Sequence, residues 1–189
     1  MIAVSIIIVY LLLIALGLFF IGYFFLRLIS SIISNHYGAP YVPLEDELVE
    51  CMLSMAQLHP GDVVYDLGCG DGRILFRAVA DHQVIARGYE ISYYPYLLCR
   101  LRMLGNPRLA RQMTVERKDF FTSNISDARA VLLYQHPDVL KKLATKLRTE
   151  LQPGSCIVSA RYPLPGWKPE QEDTSGKYPL YMYRVGSAG

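Results

Sequence analysis

Charged side chains are absent from residues 2–26, which read "IAVSIIIVYLLLIALGLFFIGYFFL". Built as a helix, these 25 residues extend about 37 Å, more than the ~30 Å hydrocarbon core of a bilayer. A buried helix of a soluble protein is rarely apolar on every side over such a length. A cleaved signal peptide has a basic start and a shorter apolar stretch. Residues 1–27 are therefore predicted to be a retained, single-pass transmembrane anchor.

Basic runs, cysteine pairs and metal-ligand spacings are also missing. Of the 19 Lys and Arg, 18 remain once Arg27 is set aside, against 17 Asp and Glu, and this near-neutral balance does not favour a nucleic-acid partner. The 4 cysteines and 4 histidines are scattered, without a CxxC pair, so neither a disulfide framework nor a bound metal is expected. Since Arg27 follows the anchor, the positive-inside rule places the remaining chain in the cytoplasm.

Strand and helix patterns alternate in the rest of the chain. Residues 28–43 are predicted to be a linker, in which "RLISSII" either continues the helix or lies along the lipid headgroups. Short apolar runs predict strands at 63–68, 85–91, 113–119, 130–135, 155–161 and 178–185. Periodic segments predict helices at 45–58, 72–82, 93–105 and 136–151. The alternation predicts an α/β domain at 44–186 with a mostly parallel, doubly wound, Rossmann-like sheet.

Three glycines alternate in "DLGCGDG", between the first predicted strand and the helix that follows it. Bare backbone lets a ligand approach closely, and the start of the helix offers amide hydrogens and the positive end of a dipole. Gly68, Gly70 and Gly72 are therefore predicted to mark a ligand site at the carboxyl edge of the sheet. A tight turn that needs positive φ would explain one of these glycines well and all three poorly.

Carboxylates accompany this loop and predict the ligand. Asp66 and Asp71 would repel a pyrophosphate, but they suit S-adenosylmethionine, which carries an ammonium and a sulfonium and whose carboxylate can use the loop amides. Glu90 ends the next strand, where an acid binds ribose hydroxyls. Asp119 ends the third strand, where it can accept from the adenine amino group while Phe120 packs on the ring. We therefore predict S-adenosylmethionine as the cofactor, with NAD as the remaining alternative.

Several segments together resemble a class I S-adenosylmethionine-dependent methyltransferase. More narrowly, "APYVP", "VVYDLGCGDGRI", "GYEIS", "KDFF" and "KLRTELQPGSCIVSARYPLPGW" are similar to the single-span protein-lysine methyltransferases of mitochondria and their prokaryotic relatives. The mitochondrial enzymes modify the ATP synthase c subunit and the adenine nucleotide translocase. The resemblance covers residues 39–185. The cofactor motif is common to many methyltransferases, whereas "SARYPLPGW" is the more specific part.

The resemblance implies roles for individual residues. The methionine end of the cofactor would be held by Asp66, Gly68, Gly70, Asp71 and Gly72. Glu90 would bind the ribose and Asp119 the adenine, and Tyr41 and Pro43 of "PYVP" would cover the cofactor near its methyl group. "YQHP" at 134–137 departs from the family's pattern. An Arg-rich presequence is also missing, so a bacterial inner membrane is expected rather than a mitochondrial one.

The segment after the fourth predicted strand is where the methyl acceptor is expected. Our hypothesis is that Tyr134 or His136 is catalytic and orients the amine of an acceptor lysine. The alternative is that His136 merely starts the helix beside Pro137. Because the anchor raises the effective concentration of membrane-embedded acceptors, the predicted partner is a membrane protein. Two other readings remain open: a small-molecule or lipid-linked acceptor, and a non-catalytic protein that binds S-adenosylmethionine.

Basic residues of the helix predicted at 136–151 lie largely away from its apolar face. We expect Lys141, Lys142, Lys146 and Arg148 to be solvated rather than to touch a membrane surface. Trp167 is expected either to sit at the membrane surface or to pack within the domain.

Overall fold

The computed structural model describes residues 2–36 and 41–186 of the chain. Helix α1, Ile2–His36, precedes a domain built on one seven-stranded sheet. The elements that follow α1 are α2 (Asp46–Ala56), β1 (Val63–Leu67), α3 (Arg73–His82), β2 (Ile85–Tyr89), α4 (Tyr93–Gly105), α5 (Pro107–Ala110), β3 (Met113–Glu116), a 3₁₀ turn (Phe120–Thr122), β4 (Ala130–Leu133), α6 (Pro137–Glu150), β5 (Cys156–Ala160), β6 (Gln171–Asp173) and β7 (Leu180–Arg184).

The sheet has the strand order β3-β2-β1-β4-β5-β7-β6, and its first five strands are parallel. Strand β7 runs antiparallel between β5 and β6. The central strand β1 pairs with β2 on one side, where Val63 lies opposite Ile85, and with β4 on the other, where Val64 lies opposite Ala130. The strand order reverses between β1 and β4, and such a switch point opens a crevice at the carboxyl ends of the strands. The predicted Rossmann-like fold is confirmed.

Helices cover both faces of the sheet. On one face, Val64 and Leu132 pack with α2, α3 and the buried Cys99 of α4. On the other face, Tyr65 and Val131 pack with α6. Neighbouring residues of each strand thus enter opposite cores, because side chains alternate across a sheet. Burial on both faces explains why β4 and β5, which are buried throughout, are almost continuously apolar in the sequence.

Two elements were not predicted from the sequence. Strand β6 lies in the polar stretch 168–177, and its pairing with β7 at the sheet edge, rather than an apolar pattern, makes it a strand. Helix α5 is a single turn that begins at Pro107. The predicted strands were all longer than the observed ones, and the largest excess at one end is at residues 117–119, which lie beyond the end of β3.

Helix α1 continues without a break through residues 28–36. Of the two alternatives for "RLISSII", the structure shows continuation of the helix. The stretch Val4–Ile33 is long and apolar enough to cross a membrane, and its most apolar window is not buried against the domain. Near its end, α1 docks on the first turn of α4. The Arg27 guanidinium lies 4.6 Å from the Tyr94 ring, and the Tyr94 amide donates to Ser30 Oγ at 3.2 Å.

One expectation for the region around α6 needs correction. Lys146 is not solvated: it is buried, and its ammonium pairs with Glu150 at 2.6 Å. Of the two alternatives for Trp167, packing within the domain is the one that the structure supports. The Trp167 ring packs 6.0 Å from the Tyr183 ring, and the Arg148 guanidinium lies 5.0 Å over it.

Candidate active site

A cavity of about 350 Å³ lies at the carboxyl ends of the parallel strands. This volume is in the range of pockets that hold small ligands. The twelve predicted site residues meet here with one exception, and those that line the cavity are Tyr41, Pro43, Asp66, Gly68, Gly70, Asp71, Glu90, Asp119, Phe120, Tyr134 and His136. The exception is Gly72, where a Cβ would lie 2.5 Å from Cys99 Sγ. Gly72 thus allows α4 to pack closely beneath the loop.

The glycine loop is held by hydrogen bonds of its own. The Gly68 and Cys69 amides both donate to the Tyr89 carbonyl, at 2.8 and 3.0 Å, and the Gly70 amide donates to Glu90 Oε2 at 3.0 Å. These amides are therefore not free for the cofactor carboxylate, contrary to our expectation. The three alternating glycines have φ of 91°, 55° and 78°, so the tight-turn explanation applies to each of them.

Two side chains cross this loop and need its bare backbone. A Cβ on Gly70 would lie 2.8 Å from the Tyr41 ring, and a Cβ on Gly68 would overlap Gln135 Nε2. The glycines thus serve the packing of Tyr41 and Gln135 over the loop as well as its turn geometry. The cavity is enclosed between these side chains and the strand ends.

Gln135, which the sequence did not lead us to assign, holds an unsatisfied polar atom. Its Nε2 donates to the Leu67 carbonyl, and this bond fixes the orientation of the amide. Its Oε1 is buried and has no partner in the described part of the chain. A buried carbonyl oxygen without a donor is uncommon and indicates a ligand site. The position of Gln135 in "YQHP", directly after β4, was the available signal.

Asp66 is a second buried acceptor without a partner. No hydrogen bond to its carboxylate is formed within residues 2–36 and 41–186, and its side chain is almost fully buried. Burial, with added repulsion from Glu90 and Asp71, raises the pKa of Asp66 to about 8. Together with Gln135 Oε1 it forms a pair of acceptors at the ends of neighbouring strands. An ammonium group satisfies both, so the residues present fit the methionine end of S-adenosylmethionine.

Glu90 and Asp119 both lie in the wall of the cavity. Glu90 accepts from the Gly70 amide at 3.0 Å and the Ser92 amide at 2.7 Å, and the Ser92 hydroxyl and the Ile91 amide also bond to it. Burial raises the pKa of Glu90. Asp119 Oδ1 accepts from the Phe121 amide at 2.9 Å, which starts the 3₁₀ turn and brings Phe120 to the cavity wall.

Asp71, in contrast, is engaged by arginines. Arg73 Nε and Nη2 donate to its carboxylate at 3.0 and 2.9 Å, and Arg102 Nη1 lies 3.6 Å away. Burial alone would raise the pKa of Asp71, but these contacts with arginines hold that pKa below its usual value. Arg73 also donates to the Leu44 carbonyl. The Asp71–Arg73 pair therefore ties the segment after Tyr41 onto the glycine loop.

His136 and Tyr134 differ in what they can do. His136 Nδ1 accepts from the Asp138 amide at 3.5 Å and caps α6. This contact and the neighbouring Pro137 place His136 at the start of the helix. The geometry favours the helix-start alternative for His136. Tyr134 lines both this cavity and a second one of about 220 Å³, where its ring lies 6.3 Å from the Tyr178 ring.

Arg161, at the end of β5 in "SARYPLPGW", was also missed. Its guanidinium lies 5.1 and 5.2 Å from the rings of Tyr162 and Tyr178, and a hydrogen bond with Tyr134 raises its pKa. Its φ is 74°, a left-handed conformation that is uncommon outside glycine and that is retained mainly at functional sites. The arginine thus holds an aromatic wall beside the entrance to the cavity.

The topological switch point, the acids at the strand ends and the unsatisfied acceptors define a class I S-adenosylmethionine-dependent methyltransferase. Residues 66–171 match the family model described as the ANTKMT methyltransferase domain. The chain therefore belongs to the ANTKMT methyltransferase family.

Individual relatives agree with this assignment. The chain is 34% identical over 152 residues to a protein-lysine N-methyltransferase of Saccharolobus islandicus, covering 78% of this chain and 94% of that protein. It is 35% identical to the mouse adenine nucleotide translocase lysine N-methyltransferase, covering 79% of this chain and 65% of that protein. An RNA methyltransferase from Salinibacter ruber in complex with S-adenosyl-L-homocysteine superposes with a TM-score of 0.74 at 31% identity, over 78% and 96% of the two chains. S-adenosylmethionine is the cofactor, as predicted.

Cofactor affinity is expected to depend on pH through Asp66. The ligand ammonium needs the ionised carboxylate, whereas the free protein holds it neutral below a pKa of about 8. Affinity should therefore rise about tenfold per pH unit from about pH 5 to about pH 7, and level off near pH 8, where the amino group of the ligand begins to lose its proton. Calorimetric titration with S-adenosylhomocysteine measures this. An analogue without the amino group is the control, and an equal slope for the two ligands would contradict the assignment.

Proposed function

We propose that the protein transfers a methyl group from S-adenosylmethionine to a lysine side chain of a membrane protein. The curated relatives from Saccharolobus islandicus and mouse are protein-lysine N-methyltransferases, and the mouse enzyme acts on a translocase. The solved Salinibacter ruber enzyme is an RNA methyltransferase. The near-neutral charge balance outside the anchor supports the lysine over RNA, because RNA binders carry a basic surface.

One observation carries the membrane part of the proposal. The apolar helix α1 ends at His36, and Tyr41, five residues on, lies across Gly70 in the wall of the cofactor cavity. Five residues span at most about 18 Å. The reacting centre is thus tethered within a short distance of the helix that we propose as the anchor. This geometry suits a lysine close to the membrane surface and not one on a distant soluble domain.

The proposed organisation has three parts. Residues 1–27 anchor the chain, residues 28–43 link the anchor to the domain and cover the cofactor, and residues 44–186 form the methyltransferase domain. Arg27, next to the uncharged run, supports a cytoplasmic position for the domain. The bacterial inner membrane stays a prediction.

The residues of the cavity are proposed to fix the donor. When bound, S-adenosylmethionine supplies an electrophilic methyl group on a sulfonium. Asp66 and Gln135 Oε1 bind the ammonium, Glu90 accepts from ribose hydroxyls, and Asp119 accepts from the adenine amino group. Tyr41 closes the cavity over the glycine loop. Alignment of this kind can supply roughly 7–11 kcal/mol of the barrier reduction.

The second cavity supports a path for the acceptor. Four residues belong to both cavity walls, namely Val42, Pro43, Leu44 and Tyr134. At the outer end, Lys177 donates to Glu45, and its ammonium lies 5.6 Å from the Tyr178 ring. A carboxylate and an aromatic ring thus already receive a lysine there, and the acceptor lysine presents the same chemistry.

The acceptor amine has an ordinary pKa of about 10.4 and must lose its proton before it attacks. At the junction of the two cavities, Val42 and Leu44 make the surroundings apolar, and the neighbouring sulfonium is positive. Both effects lower the pKa of the amine, so a dedicated base is not required. The Tyr134 hydroxyl is left to orient the amine.

The roles of Tyr134 and His136 can be separated by substitution. Tyr134→Phe is expected to lower kcat about tenfold, the cost of one lost hydrogen bond, with no change in cofactor affinity. His136→Ala should keep its turnover at every pH and lose only stability, about 1 kcal/mol for a helix cap. Tyr162→Phe, a neighbouring tyrosine in the same cavity, is the matched control. A loss of turnover in His136→Ala and not in Tyr134→Phe would reverse the assignment.

The proposed acceptor is tested by the destination of a labelled methyl group. Full-length protein and labelled S-adenosylmethionine are added to membranes that lack the protein, with Asp66→Asn as the inactive comparison. Recovery of methyl-lysine from a membrane protein band is the expected result. Label sensitive to ribonuclease would indicate RNA, and label extracted with organic solvent would indicate a small or lipid-linked acceptor. Cofactor binding without any transfer would favour the non-catalytic reading.

A further inference from the structure

Helix α4 exposes an apolar stripe that methyl transfer does not use. Tyr93, Leu97, Leu101 and Leu104 are 44%, 44%, 54% and 76% exposed. Their spacing places them on one face of the helix. The opposite face is held in the domain by the buried Cys99. A contiguous exposed stripe of large apolar side chains marks an interaction surface.

The same segment concentrates positive charge. Residues 93–112 contain four arginines and no acidic residue, so the chain total of +2 leaves −2 for everything else. Arg100, Arg108 and Arg111 are exposed, and none of them pairs with a carboxylate among the residues that the structure describes. Leucines beside unpaired arginines are the composition of helices that lie at an anionic bilayer surface.

Contact with α1 fixes the position of this surface along the membrane normal. The uncharged run ends at residue 26, and Arg27 lies over the Tyr94 ring at 4.6 Å. The first turn of α4 is therefore beside the point where the apolar helix becomes polar. Arg117, which follows β3, lies 4.0 Å over the ring of Tyr93, the first residue of α4. The stripe thus begins where lipid headgroups would surround α1.

We propose that residues 93–112 lie on an anionic bilayer surface, with the α4 stripe in the lipid interface and the arginines among the headgroups. We call this segment the α4 membrane face. Since α4 begins three residues after Glu90, the contact holds the cofactor edge of the sheet close to the bilayer. The domain then has two attachments, α1 and the α4 membrane face. Two attachments restrict its orientation, which a single flexible tether would not.

The α4 membrane face can be tested in the full-length protein with a fluorescent label. Cys51 is the exposed cysteine and is changed to Ser, whereas the other three are buried. An environment-sensitive fluorophore is then placed at Leu101→Cys and, in a second variant, at Leu97→Cys. Thr145→Cys, exposed on α6 at the opposite face of the sheet, is the control. Cofactor binding confirms that each variant is folded.

In phosphatidylcholine–phosphatidylserine vesicles, the labels on α4 should show blue-shifted emission and quenching by a spin-labelled lipid. The Thr145→Cys label should instead be quenched by aqueous iodide. Changing Arg100, Arg108 and Arg111 to Gln should shift the α4 labels towards the exposed state by about fivefold per arginine. Omitting phosphatidylserine should act in the same direction.

Three results would overturn the proposal. The first is iodide quenching of both α4 labels equal to that of the control. The second is protection of the α4 labels from iodide without quenching by the spin-labelled lipid, if this protection is lost on dilution into excess vesicles. The stripe would then be a contact between two copies of the chain. The third is protection that arises only when a membrane acceptor protein is added.

Discussion

Asp66→Asn is expected to weaken cofactor binding by about 100-fold or more and, at the same time, to stabilise the cofactor-free protein in alkaline solution. The first effect arises because breaking a buried charge pair by removing one partner costs about 3–5 kcal/mol. The ligand ammonium would be left with Gln135 Oε1 as its neutral acceptor. Equilibrium dialysis with labelled S-adenosylmethionine measures the loss.

The second effect follows from the raised pKa of Asp66, about 8 in the folded protein. When the pKa of an acid is higher in the folded protein than in the unfolded chain, the free energy of unfolding is greatest below the unfolded pKa. It falls as the pH rises towards the folded pKa. The wild-type protein should therefore become less stable from about pH 4 to about pH 8, and the variant should not. Thermal melting of the wild-type protein and the variant at about pH 6 and about pH 9 compares them.

Asp81→Asn is the matched control, because Asp81 forms an exposed pair with Arg77 on α3 and such pairs contribute little. It should change neither cofactor affinity nor the pH dependence of melting. Normal cofactor affinity in Asp66→Asn would place the ammonium site elsewhere. A stability difference that grew towards acid pH would contradict the burial of an unpaired carboxyl.

Removal of residues 1–36 is expected to lower the methylation rate of a membrane-embedded acceptor by about 10²–10⁴-fold, because the reaction loses the effective concentration that the anchor supplies. Cofactor affinity should stay unchanged, since Tyr41 and the strand ends remain. Turnover of a soluble lysine-containing peptide should also be unchanged. Initial rates on vesicles that contain the acceptor, and on the peptide, measure the two effects.

An unrelated transmembrane helix fused ahead of residue 37 is the control for this deletion. It should restore most of the rate on the embedded acceptor, because tethering and not the sequence of α1 supplies the gain. Equal rates for the full-length and shortened proteins on the embedded acceptor would show that the anchor has no part in catalysis.

The parts of the molecule that were predicted from sequence are those with strong local signals. Short apolar runs bounded by turns located β1, β2, β4 and β5, and burial on both faces makes this composition most continuous in β4 and β5. The alternating glycines and the acids at strand ends located the cavity, because in parallel sheets such ends converge at one edge. Edge strand β6 carries no apolar pattern, so its pairing with β7 could not be read from its own residues.

The residues that were missed depend on partners distant in sequence. Gln135 becomes a ligand candidate only because the Leu67 carbonyl takes its Nε2 and leaves Oε1 buried. From the sequence, Asp71 was predicted to bind the cofactor. In the structure its carboxylate pairs with Arg73, which also donates to the Leu44 carbonyl in the segment after Tyr41. Such roles follow from tertiary contacts, which the local sequence does not specify.

Helix α4 shows the same limit for a surface. Its sequence "YYPYLLCRLRMLG" is apolar around most of its circumference, so periodicity predicts a helix without saying which side is buried. In the structure Cys99 faces the core while Leu101 faces outward. Packing of Cys99 beneath the glycine loop, rather than composition alone, distinguishes the two sides.

The central claim, lysine methylation at a membrane, is tested most directly by mass spectrometry of membrane proteins from cells with and without this chain. We predict that a lysine near the membrane surface of an integral membrane protein loses its methylation in cells without the chain. The wild-type chain should restore it and Asp66→Asn should not. Identical lysine methylation of membrane proteins in the two cell types, with altered methylation of RNA or of a soluble metabolite, would contradict the claim.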